Sequence, residues 1–258
     1  MGDLVLYQVQ DRIAVITLNR PEALNSINRP LKADLADVLK RFDEDDSAWV
    51  GIIRGSGRAF CAGRDLKERA EDNAAGRKPR GIESMGPGTL FMWSLPQKPL
   101  IAAVHGYALA GGWSVVQMCD LRVASEDAML GITEARVGLI PPFGVQLNKL
   151  LPEAVVMEMV LAGQHFPAKR LQELGFINKV VPAEKLMDAA TEMARAILAN
   201  APLSVRAFKQ LVIQCRALSE KDAAVLTEAA YDRLLVTLDS VEGPKAFAEK
   251  RPPHWQAR

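Results

Sequence analysis

The sequence is poor in the residues that hold metals and disulfides, with three histidines and three cysteines in 258 residues. Cys61, Cys119 and Cys215 show no CxxC spacing, and His105, His165 and His254 add no metal-ligand interval. Neither a disulfide scaffold nor a metal centre is expected, and free thiols fit a reducing compartment. Charge of one sign is lacking too. Lys and Arg total 32 against 31 Asp and Glu, a net charge of +1, so nothing draws nucleic acid or a membrane surface from a distance, and a bound anion must be met by a local site. No apolar run approaches the ~18 residues of a membrane span. The opening MGDLVLYQVQ has neither the layout of a secretory signal nor, with Leu6 where Ser or Thr would be needed, that of a myristoylation site. A cytoplasmic location is the expectation.

With 49% hydrophobic and 24% charged residues, the chain has the apolar mass for one large α/β domain. Residues 4–9 and 12–18 are β-rich runs joined at Gln10 and Asp11, which predicts a hairpin. The stretch NRPEALNSINRP breaks that pattern. Leu31, Leu35, Val38, Leu39 and Phe42 then recur at helical spacing, and residues 49–53 and 100–104 read as buried strands, the second followed by a helix over 111–118. Such alternation predicts parallel pairing. Residues 72–88 are polar and lack periodicity, which predicts a surface loop bordering a binding site. From Glu153 the chain reads as helical, with amphipathic stretches over 183–198, 203–215 and 223–238.

Two glycine-containing turns follow buried strands: AFCAGRDL over 59–66 and HGYALAGGWS over 105–114. Small residues let backbone approach an anion closely, and a helix N-terminus adds positive partial charge, so turns from adjacent strands can hold one oxyanion between them. Either turn alone is as readily explained as a simple change of chain direction. Neither fits a nucleotide code, because GSGRAF lacks the last glycine of a dinucleotide fingerprint and no GxxxxGK[ST] occurs. The run Gly112-Trp113-Ser114 begins like a serine nucleophile elbow, but Val116 stands where the closing glycine belongs.

Taken together, FCAGRDL, KPLIAAVHGYALAGGWSVVQMCDLRVAS, TEARVGLIP and EGPKAFAEKRPPHW resemble the enoyl-CoA hydratase/isomerase (crotonase) family in order and spacing over nearly the whole chain. The resemblance implies an α/β spiral of β-β-α units with two roughly perpendicular sheets over residues 1–195. It implies a helical C-terminal region over 196–258 that assembles trimers or hexamers. It further implies an acyl-CoA thioester substrate, no metal or redox cofactor, and an oxyanion hole made by the backbone N–H groups of Arg64 and Gly111.

Ala62, Asp65 and Leu66 match the family loop that contacts coenzyme A, with Asp65 also suited to a structural cap. Lys250, with Phe247 and Arg251, matches a C-terminal segment that approaches the cofactor portion of the substrate. Of the family's two acid/base carboxylates, Glu134 is retained, whereas Ser114, beside Trp113, stands where hydratases carry glutamate. Pro142, Phe143 and Val145 replace glycine-rich positions and reshape the neighbouring acyl pocket. Hydration of an enoyl-CoA is the leading expectation, double-bond isomerisation by one carboxylate the alternative, and a thioester-binding protein of low activity the alternative of another class.

Overall fold

The computed structural model describes residues 4–77, 96–141 and 143–258. Its chain opens on an antiparallel hairpin of β1 (Val5–Gln10) and β2 (Ile13–Leu18). Asp11 and Arg12 both take positive φ at its turn, the twist that a two-residue hairpin loop requires. β2 then pairs in parallel with β3 (Val50–Gly55), followed by β4 (Leu100–Val104), β6 (Leu121–Ser125) and β9 (Lys179–Val181), completing a six-stranded sheet in the order β1-β2-β3-β4-β6-β9. A second sheet has β7 (Met129–Gly131) between β5 (Tyr107–Leu109) and β8 (His165–Pro167).

The two sheets are linked by corners. β4 leaves the large sheet at His105, bends at Gly106, where φ is +54°, and enters the small sheet as β5. A side chain at Gly106 would collide with the carbonyl of Arg58, so glycine is required for both reasons. β6 and β7 repeat the step. After β3 the chain makes a rudimentary version of it, the Cys61–Ala108 bridge. Each unit thus crosses from one sheet to the other before a helix returns it, the crotonase-like β-β-α spiral.

α1 (Arg29–Glu44) starts at Asn28, whose side chain accepts the Leu31 N–H, a cap worth about 1 kcal/mol. It buries Leu31, Leu35, Leu39 and Phe42 at helical spacing. α6 (Leu186–Leu198) lies on the large sheet's other face, where Ala189, Ala190 and Ala194 let it approach Ile52, Ile101 and Val123 closely. A division at residue 195 falls inside this helix. α7 (Pro202–Gln214), α8 (Glu220–Leu235) and α9 (Leu238–Ala248) follow.

Two sequence expectations need correction. The loop expected over 72–88 begins inside α2 (Leu66–Ala74), where buried Asp72 pairs with Arg29 and Arg77. Its polar composition is that of a short, largely exposed helix held by ion pairs. Residues 78–88 lie outside the described residues. The region after Glu153 is not wholly helical, since β8 and β9 fall between α4 (Glu153–Ala162), α5 (Ala168–Glu173) and α6. At three residues each, they are too short to give a period-2 signal.

Candidate functional site

The first glycine turn is suspended from the chain that precedes α1. Asn25 is fully buried with φ +54°, and its amide donates to the carbonyls of Ser56 and Ala59 at 2.9 and 2.8 Å while its oxygen accepts from Arg20 N. The Ala62 N–H donates to Leu24 O at 2.9 Å. Ile27 takes up the next two groups, donating to Gly63 O at 2.7 Å and accepting from Asp65 N at 3.0 Å. The intervening N–H of Arg64 is left facing away from Ile27, with no backbone acceptor among the described residues. Sequence reasoning had passed over Asn25, whose only signal is a polar residue in a segment that looks like a plain break.

Gly63 has φ +95°, and a Cβ there would stand 2.7 Å from Leu109 O and 2.9 Å from Ala110 Cβ. This close approach is what joins the first turn to the second. In that second turn Ala110 holds φ 50° and ψ −118°, a sparsely populated conformation for an L-residue that surrounding structure must enforce. The enforcing contact is its N–H bond to Gly131 O at 2.8 Å. α3 (Gly111–Met118) starts immediately afterwards, so the Gly111 N–H is one of the donors a helix leaves unmatched at its N-terminus. A Cβ built on Gly111 would lie 3.6 Å from Arg64 N. The two N–H groups predicted to act together are therefore neighbours.

Glu134 enters from the strand paired with β5. β7 runs through Ile132 and Thr133 into a 3-10 turn, Glu134–Val137, and Glu134 is 8% exposed. Its Oε2 atom is buried with no hydrogen-bond partner. Desolvation pushes its pKa above the ordinary glutamate value, against a smaller opposing effect from the N–H groups of Glu134 and Thr133. This carboxyl is poorly solvated and keeps one oxygen unpartnered, the condition that suits proton exchange.

Ser114 N donates to Ala110 O at 3.1 Å, and the side chain borders a cavity of about 400 Å³ between α3 and α7. Phe143 forms another part of this wall; Pro142 and the Val145 side chain lie outside the described residues. Trp113, one position earlier, has no exposure and stacks on Phe176 at 4.5 Å, with Nε1 donating to Gln117 at 3.0 Å. It is a core residue, turned from Ser114 by one helical step. His105 Nε2 lies 2.9 Å from Gly57 O, which occupies the nitrogen that a serine-hydrolase relay through Ser114 would need.

Asp65 is the N-cap of α2, accepting from Lys67 N and Glu68 N and pairing with Arg20 at 2.6 Å. Leu66, 53% exposed, stands free beside it. At the C-terminal end, Arg251 grips Glu242 through two nitrogens at 2.6 and 2.9 Å, while Lys250 is exposed just beyond α9. Arg251 is thus spent on local structure. Among the described residues no group of His, Cys, Asp and Glu is arranged to hold a metal ion, and no helix is long and apolar enough to cross a membrane.

Comparison with known proteins gives one consistent set of relatives. A family profile described as enoyl-CoA hydratase/isomerase matches residues 8–258. The chain is 38% identical to a carnitinyl-CoA dehydratase of Proteus mirabilis, covering 94% of each protein. It is 36% identical to an enoyl-CoA hydratase of Mycobacterium tuberculosis, covering 100% of this chain and 98% of the other. A crystal structure of an enoyl-CoA hydratase from Mycobacterium marinum superposes with a TM-score of 0.91 at 39% identity over the full length of both chains.

Proposed function

This chain belongs to the enoyl-CoA hydratase/isomerase family, and from that premise we propose that it binds an acyl-CoA thioester and hydrates an enoyl group through an enolate. The N–H groups of Arg64 and Gly111 receive the thioester oxygen as negative charge develops on it. Glu134 takes a proton from water as the water oxygen bonds to the β-carbon, and returns a proton to the α-carbon as the enolate collapses. Dehydration is the same path reversed. The observation that carries this reading is the buried, unpartnered Oε2 of Glu134, reached from the strand that pairs with the one ending at the Gly111 N–H. The chemistry as drawn calls for no metal or redox cofactor.

Ser114 favours one second reading. A single carboxylate suffices to remove a proton from one carbon and return it to another, so double-bond isomerisation is the alternative where a second water-holding carboxylate is lacking. The backbone around Ala62, with exposed Leu66 and Lys250, is assigned to coenzyme A contacts, and Asp65 to holding that loop in place through its cap. Association into trimers or hexamers is supported by apolar side chains exposed on the C-terminal helices, including Phe208, Val225, Tyr231 and Val241. Incubation with a panel of enoyl-CoA thioesters, following thioester-conjugated absorbance and product mass, tests the function. A mass gain of one water supports hydration, a shifted double bond at constant mass supports isomerisation, and binding without turnover of any thioester leaves only a thioester-binding protein.

A further inference from the structure

Most polar groups lining the cavity beside Ser114 are engaged within the protein, and this bears on what enters it. Its apolar wall includes Met118, Phe143, Leu150, Ile197, Val205 and Ile213. Charged and polar groups also line it, yet nearly all are saturated by the protein. Lys209 donates to Pro96 O, Lys98 O and Asp120 at 2.7 to 2.9 Å, and the same Asp120 oxygen accepts the Leu100 N–H. Arg122 directs its guanidinium at the carbonyls of Val116, Gln117 and Cys119, closing the C-terminal end of α3. Gln117 accepts from Trp113 and donates to Phe143 O at 3.2 Å. What remains is the small neutral hydroxyl of Ser114 and the exposed Arg216.

We propose that this cavity receives the acyl chain beyond the β-carbon, and that it selects an uncharged aliphatic chain of medium length over short chains and over chains ending in a positive charge. The inference rests on the thioester reading above. Ser114 lies one helical turn from Gly111, so a chain running from a carbonyl held at the Gly111 N–H meets the cavity at Ser114, where a longer side chain would obstruct it. A volume of about 400 Å³ is at the lower end for small-molecule sites, which run from about 300 Å³. A quaternary ammonium finds no free carboxylate and no open aromatic cage there, since Asp120 is engaged and Phe143 is itself part of the packed core.

The test compares kcat/KM for crotonyl-, octenoyl- and decenoyl-CoA in the wild type, in Val205→Phe, which fills the cavity from α7, and in Met118→Ala, which enlarges it. The wild type should prefer octenoyl- over crotonyl-CoA by at least about tenfold. Val205→Phe should lose that preference, octenoyl kcat/KM falling far more than crotonyl, and Met118→Ala should move the preference toward decenoyl-CoA, which keeps the proposal testable if the larger residue misfolds. A trimethylammonium-ended chain should react more slowly than its neutral tert-butyl counterpart. A flat chain-length profile in an active wild type, or a preference for the cationic chain, overturns the proposal. Absence of turnover on every thioester overturns the functional reading itself.

Discussion

The amide of Ala110 donates to the carbonyl of Gly131 at 2.8 Å, which extends the β5–β7 register, Leu109 opposite Gly131, one step beyond the strands. The next residue after Ala110 supplies the Gly111 N–H, and the third after Gly131 is Glu134. One hydrogen bond therefore helps to set the spacing between the proposed oxyanion donor and the Glu134 carboxyl. It does so with Ala110 in a strained conformation and with Gly131 so close to β8 that a Cβ would stand 2.8 Å from Gln164 O.

Gly131→Ala should therefore damage catalysis without touching a reacting group. Displacement of β7 shifts Glu134 relative to Gly111, and a ~1 Å error is worth about a hundredfold. Steady-state kinetics on the folded variant should show kcat reduced at least tenfold, with KM less affected. Unchanged kcat would mean that the β5–β7 register does not set the spacing.

Glu134→Gln should lower kcat by about 10²–10⁴-fold, while calorimetric affinity for a non-reacting acyl-CoA stays within a few-fold. The amide keeps the shape of the carboxyl and loses only its proton exchange. Retention of more than half the wild-type activity would remove Glu134 from the mechanism.

The pKa of Glu134 also ties activity to stability. Its folded value is raised by burial, so kcat/KM should fall on the acid side at a pH above the ordinary glutamate pKa, as the base form is lost. For stability the sign is opposite to that of a paired carboxylate. Below the unfolded pKa both states are protonated and nothing is lost; as pH rises toward the folded pKa the native state is progressively destabilised, and the full penalty persists above it. Thermal unfolding should thus show Glu134→Gln more stable than wild type at neutral pH, with the gap closing in acid. A gap independent of pH would contradict the assignment of the raised pKa to this carboxyl.

Gly111→Pro removes one N–H at the first position of α3, where proline's φ is tolerated. Loss of one such donor costs about 2.7–4 kcal/mol of transition-state stabilisation, so turnover should drop by roughly 10²–10³ in variants whose circular dichroism matches wild type. Full activity in such a folded variant would exclude Gly111 as a donor.

Ser114→Glu should raise the hydration rate on crotonyl-CoA at the expense of longer chains, since a second carboxylate orients water and also narrows the entrance to the cavity. Repulsion between two carboxyls raises the pKa of one further, leaving it as acid. Brisk hydration by the wild type that is insensitive to Ser114→Ala would show that Glu134 alone serves the water.

The elements legible in the sequence were those with long periodic patterns. The hairpin, α1, β3, β4 and α3 were readable because a buried face repeats over several residues. Strands β5, β7 and β8 were not, being three residues each, and they are the ones that set the site. Glu134 illustrates the limit. By composition it is an ordinary glutamate at a helix start, and only resemblance to a family singles it out; its burial comes from tertiary packing that no local pattern encodes. Trp113 fails in the other direction, since adjacency to Ser114 in sequence places it on a different face of α3, against Phe176.

Because the proposed enolate site is made of main-chain groups, its donors do not depend on which side chains stand at positions 64 and 111, provided the turn geometry survives and neither is proline. The Arg64 side chain is exposed. Mutation can therefore explore the acyl cavity and position 114 while the oxyanion donors persist, so that new substrate ranges are reached by descent through functional intermediates.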